Sequence, residues 1–104
     1  MSDWHLYVVK TRAGDLYTGV TTDVTRRFRE HAAGGGRGAR FLRSRGPLQL
    51  VFQVRLGSRS LALRAEYRLR KLNKLKKQEI IDQDPSGGEL LAMLDLSRDR
   101  DPIE

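Results

Sequence analysis

Apolar and polar positions alternate twice near the start of the chain, in "HLYVVK" and "LYTGV", and this period of two predicts a pair of strands. The intervening "TRAGD" suits a three-residue hairpin loop, Arg12-Ala13-Gly14, with the glycine in the left-handed position. That loop sets a register pairing Thr11 with Asp15, Val9 with Tyr17 and Tyr7 with Gly19. Leu6, Val8, Leu16 and Val20 then share the face expected to meet the core. Tyr7 and Tyr17 become diagonal neighbours on the opposite face, beside the bare backbone of Gly19.

The period lengthens after Val20. Thr22 or Asp23 is a good N-cap, and the helix it starts is expected to stop at the glycines 34–36. Val24, Phe28 and Ala32 are spaced as its buried stripe, with Arg27 and His31 on the strip beside it. A basic loop follows, "GGGRGARFLRSRGP", with a short helical turn expected around Ala39 to Arg43. Alternation returns in "LQLVFQVR", a third strand. Ser58 or Ser60 can cap a main helix whose core stripe is Leu61, Ala65, Leu69 and Leu72. Ala62, Glu66, Leu69 and Asn73 form the strip next to it. A further helix over about 74–82 carries Leu75, Ile80 and Ile81. After the break "QDPSGG", "ELLAMLDL" suggests a last short helix. The reading divides the chain into a body, residues 1–82, and an acidic tail, residues 83–104.

Composition sharpens this outline. With 104 residues the chain has room for one domain with a modest core. It has no cysteine, which excludes a disulfide framework and a thiolate metal site. The opening "MSDWHLYVVK" carries Asp3 and only a short apolar run, so neither a signal peptide nor a membrane span is expected, and the location expected is cytoplasmic. The net charge of +7 is unevenly placed. Residues 1–78 carry 18 Lys and Arg against 5 Asp and Glu, or +13, whereas residues 79–104 carry 2 against 8, or −6. Between His31 and Gln78 stand 13 basic residues and one carboxylate, Glu66. Such a body suits a polyanion, because each Lys or Arg set on a phosphate releases condensed counterion. A membrane surface fits less well, since no helix pairs a basic face with a large aromatic one.

The candidate chemistry lies in an ordered set. Tyr17 follows Tyr7 by ten positions, Arg27 follows by ten more and His31 by four more, and Glu66 stands alone on a later helix. With "HLY" and "YTG" as its two tripeptides, this set resembles the GIY-YIG nuclease superfamily, and most of all its short stand-alone bacterial members. "LYTGVTTDVTRRFREH", "GPLQLVF" and "SLALRAEYRLRKL" carry the likeness, which covers about residues 4–82. The first tripeptide lacks the family's Gly and Ile, and Val20 stands where excision-repair relatives have Lys.

The resemblance implies a small α+β domain, a three-stranded antiparallel sheet flanked by helices in the order β-β-α-β-α-α. It also implies cleavage of phosphodiesters in DNA, in preference to RNA, with one divalent ion, Mg²⁺ or Mn²⁺, in repair or DNA processing. Carried over, Tyr17 is the base or water-positioning phenol and Tyr7 its partner on the hairpin. Arg27 would hold the phosphate, His31 would assist proton transfer and Glu66 would ligate the metal. Gly19 and Asn73 are accessory candidates, with Gln78 an alternative to Asn73. Arg37, Arg40, Arg43, Arg45, Lys71 and Lys74 would bind nucleic acid. These residue types suit phosphodiester hydrolysis, because its transition state gathers negative charge and a guanidinium fork can meet two oxygens at once. A free phenol, with a pKa of about 10, is a poor base until cations favour its ionised form. Two other readings stay open. The domain could bind DNA or RNA without cutting it, and Glu66 could be an i, i+4 salt-bridge partner of Arg70.

Overall fold

The computed structural model of the protein describes residues 3–33 and 47–96. Three strands, β1 (Trp4–Lys10), β2 (Leu16–Thr21) and β3 (Gln49–Gly57), form an antiparallel sheet in the order β2-β1-β3. Helix α1 (Val24–Ala32) joins β2 to β3 in sequence, and α2 (Arg59–Arg70), α3 (Lys74–Gln83) and α4 (Gly87–Met93) follow β3. This is the small α+β architecture expected, with the last short helix present. The hairpin register is also as read: Tyr7 pairs with Gly19 and Val9 with Tyr17. Gly14 has φ +94°, the left-handed conformation that closes the loop, and its N–H donates to the Thr11 carbonyl.

Each helix starts on a side chain that accepts one of its unpaired first-turn N–H groups. Asp23 caps α1, Ser58 α2, Asn73 α3, and Ser86 α4 in a capping box with Glu89. The central strand is buried on both faces, so Leu6, Tyr7, Val8 and Val9 are all inaccessible. Leu6 and Val8 meet the main core, with Phe52 and Leu56 of β3, Leu61, Ala65 and Leu69 of α2, and Ile80 and Ile81 of α3. Tyr7 and Val9 meet a smaller cluster built on Val24, with Phe28, Leu48 and Leu50 against it.

Three expectations change. The inner edge of α1 ends on His31, which is 1% exposed, while Ala32 is exposed. The last turn of this helix meets the rings of Tyr7 and Tyr17, and an imidazole fills that space and answers the Tyr7 hydroxyl where a methyl could do neither. Leu75 is 70% exposed, because α3 turns inward only at Ile80 and Ile81. The segment read as an acidic tail is part of the body as far as it is described: Leu90, Leu91 and Leu94 lie in the main core, and Arg68 donates to the Leu94 carbonyl at 2.8 Å. The turn expected around Ala39 to Arg43 lies outside the described residues. No helix among the described residues is long and apolar enough to cross a membrane.

Candidate active site

A cleft of about 390 Å³ opens where β2, α1 and α2 come together. Tyr7, Tyr17, Gly19, Arg27 and Glu66 all line it, so side chains far apart in sequence share one wall. The hairpin register sets the two tyrosines, the first turns of α1 present Arg27, and the middle of α2 presents Glu66. Trp4, Arg26 and Arg59, with Thr21 and Thr22, complete the polar and aromatic lining.

Behind the cleft wall the Tyr7 hydroxyl lies 2.9 Å from His31 Nε2. Burial pushes the Tyr7 phenol up to about 12, with the neighbouring Tyr17 adding to the shift and Arg27 opposing it. Burial also lowers His31 below the ordinary imidazole range, helped by the charge of Arg27. Both groups are therefore neutral around pH 7. Arg27 hydrogen-bonds Tyr7, and as a guanidinium it can only donate. The phenol and His31 Nε2 share one hydrogen bond, and the second imidazole nitrogen is Nδ1. That nitrogen is buried and meets no hydrogen-bond partner among the described residues.

Burial acts against the charge of Arg27, but its bond to Glu30 and the contact with Tyr7 outweigh this and raise its pKa. The Arg27–Glu30 bond is 2.9 Å long and the Arg27 side chain is only 15% exposed. Arg27 is thus a fixed cation, held from both sides. Tyr17 stands edge-on to His31, the ring centroids 5.3 Å apart. His31 itself lines no part of the cleft. It reaches the cleft through Tyr7, whose hydroxyl lies against both His31 and Arg27.

Glu66 is the carboxylate of the cleft, with a side chain 19% exposed. Arg70 approaches it at 3.7 Å, so the i, i+4 pair is present but loose. No group of three or more His, Cys, Asp or Glu gathers among the described residues. That donor set is wrong for zinc, which takes three or four protein ligands. It fits Mg²⁺, which keeps several waters and takes one or two carboxylates.

The remaining sequence candidates are scattered. Asn73 is not an accessory of the cleft: its side chain accepts from the Lys76 N–H at the start of α3 and is committed to the cap. Gln78 donates to Asp82, also away from the cleft. Lys71 lies over the Tyr67 ring, and Lys74 reaches the hairpin turn at Gly14. Arg37, Arg40, Arg43 and Arg45 lie outside the described residues. Trp4 and Arg59 lie on the same periodic strips as Leu6 and Glu66, but as the ends of those strips they read as an edge aromatic and a solvated cation. The chain's single tryptophan, beside the first tripeptide, was the one signal that pointed there.

The profile of the GIY-YIG catalytic domain matches residues 3–79 of this chain. The chain belongs to the GIY-YIG family. Within that family it is similar to a UPF0213 protein of Yersinia enterocolitica, 48% identical over 101 residues that span 95% of this chain and 100% of that one. It is likewise similar to the UPF0213 protein YhbQ of Escherichia coli K12, 47% identical over 94 residues covering 90% and 92% of the two chains. The solution NMR structure of a UPF0213 protein of Bacillus halodurans shares the fold with a TM-score of 0.52 at 32% identity, covering 91% of this chain and 99% of that one. The GIY-YIG match ends within α3 and so takes in every residue of the cleft.

Proposed function

We propose that this chain is a divalent-metal-dependent endonuclease that hydrolyses phosphodiester bonds in DNA. The observation that carries the reading is the convergence of Tyr7, Tyr17, Arg27 and Glu66, from four different elements, on one cleft. Arg27, fixed by Glu30 and Tyr7, meets the phosphate and stabilises the charge that develops on its oxygens. Because the guanidinium is held before substrate arrives, little reorganisation is needed in the transition state. Tyr7 keeps its proton at working pH and serves as a strut. Tyr17 is the phenol that positions the attacking water and takes its proton. Glu66 would hold the ion, which supplies positive charge at the leaving oxygen.

The test is cleavage of a panel of DNA structures with and without Mg²⁺ or Mn²⁺. Wild type should cut in either ion and stop in EDTA. Tyr17→Phe should lose on the order of 10²–10⁴ of the rate. Glu66→Gln should lose cleavage, because a neutral amide oxygen holds Mg²⁺ poorly, while its stability changes by under about 1 kcal/mol. Its metal-free DNA binding should be equal or tighter, since a negative charge has left a basic surface. A Glu66→Gln protein that cuts at the wild-type rate would overturn the assignment. Tight DNA binding with no cleavage in any ion would make the domain a binding module.

A further inference from the structure

A second groove, of about 360 Å³, shares Tyr17 with the cleft described above. The first cleft takes in Tyr17, Gly19, Val20 and Thr21 of β2, and the second takes in Leu16 and Thr18, the residues on either side of Tyr17. Arg70, at the end of α2, and Lys77, on α3, form its opposite wall. The Arg70 side chain is 63% exposed, and its contact with Glu66 is too long to hold it firmly. Lys74 continues the cationic line: its Nζ would lie 3.3 Å from a Cβ on Gly14 at the hairpin turn. Among the described residues, no carboxylate lines this groove. The phenol at its mouth is therefore flanked on both sides by cations, Arg26, Arg27 and Arg59 on one and Arg70 and Lys77 on the other.

We propose that this second groove binds a backbone phosphate adjoining the one held at Arg27, so that the substrate strand crosses Tyr17 from one groove to the other. The inference rests on the nuclease reading and adds the path of the strand. A nucleic-acid backbone alternates a charged phosphate with a largely apolar sugar. The groove matches that alternation, offering two cations and the side of Leu16. β2 also lies at the edge of the sheet, where alternate backbone N–H groups are not taken up by the ladder and can donate to phosphate oxygens. An enzyme that engages phosphates on both sides of the scissile bond fixes that bond against the nucleophile. Lys77 then contributes to binding and positioning without touching the reacting atoms.

The experiment measures the affinity of fluorescein-labelled DNA oligonucleotides in EDTA across a salt series, for wild type, Lys77→Gln and Lys76→Gln. Lys76 is an exposed neighbour on the same helix that lines neither groove, so it reports the general effect of losing one charge. Lys77→Gln should lower the log–log salt slope by about 0.9 on duplex, or about 0.7 on single strands, and weaken duplex binding about eightfold at 0.1 M salt. Lys76→Gln should change affinity by less than about twofold. Lys77→Arg should restore binding, which separates loss of charge from loss of fold. In Mg²⁺, Lys77→Gln should raise KM by a larger factor than it lowers kcat. If wild type binds DNA and the two Gln variants have equal slopes, the second groove is not a phosphate site and the nuclease reading stands. If wild type binds no DNA at any salt, both readings fall.

Discussion

Gly19 shows how one absent side chain organises the site. Its φ is not in the left-handed region, so the backbone here does not require glycine. Space does: a Cβ would sit 2.6 Å from Cζ and 2.9 Å from Cε1 of Tyr7. The ring cannot retreat, because it is buried and its hydroxyl is held by His31 and Arg27. Gly19→Ala should destabilise the protein by about 1–3 kcal/mol, as overpacking does, and should lower cleavage further by dislodging Arg27 through Tyr7. Thermal denaturation and cleavage rate of the same variant check both. His31 makes a separate prediction. Its pKa is lowered in the fold, so below about 6.5 the unfolded chain binds a proton that the folded one refuses. Its share of stability is therefore complete above that pH and is lost as pH falls toward the folded value. His31→Gln, whose amide can still hydrogen-bond the Tyr7 hydroxyl, should flatten the decline in Tm between pH 7 and pH 5. Parallel declines in the two proteins would show that other groups set the acid limit.

Among the elements, the hairpin was legible in the sequence because its chemistry is local, and the caps Asp23 and Ser58 were each one of two candidates. Turn length, a left-handed glycine and an alternating pattern decide a register over a short stretch of chain, and the tyrosine pairing follows from it. The inner edge of α1 was not legible, since Ala32 and His31 differ by one position and only the sheet beneath says which points inward. Helix α4 is the clearest case of distant packing. It is only seven residues long, yet Leu90 is inaccessible in the main core. Leu90→Ala should cost about 2–5 kcal/mol, measured by denaturant unfolding. A cost near zero would mean that α4 sits on the core without holding it.

At the scale of the whole molecule, charge separates along the chain, with +13 on residues 1–78 and −6 on residues 79–104. Some of that acid is tethered close to the basic body, because α4 docks on the core. Nucleic-acid binding should be driven mainly by counterion release and depend little on base sequence. With about six phosphates engaged, the log–log salt slope on duplex should be about −5. Titrations at several salt concentrations measure it directly. A slope near zero, with affinity surviving high salt, would remove the electrostatic basis of the reading.

The sequence by itself determined the strands and the hairpin register and picked out Tyr7, Tyr17, Arg27 and Glu66 as one ordered set, because each rests on local spacing or on an ordered motif. Only the tertiary structure decided which of the remaining candidates share a site. Asn73 left it because its side chain caps α3, accepting from the Lys76 N–H. His31 moved behind it because α1 settles on the sheet with that residue inward. Trp4 and Arg59, distant in sequence, joined it because β1 and the start of α2 end beside each other, with the guanidinium 5.6 Å from the indole ring. Spacing along a chain records what neighbours in sequence can do. A cleft is made by residues that become neighbours only when the sheet and helices close around them.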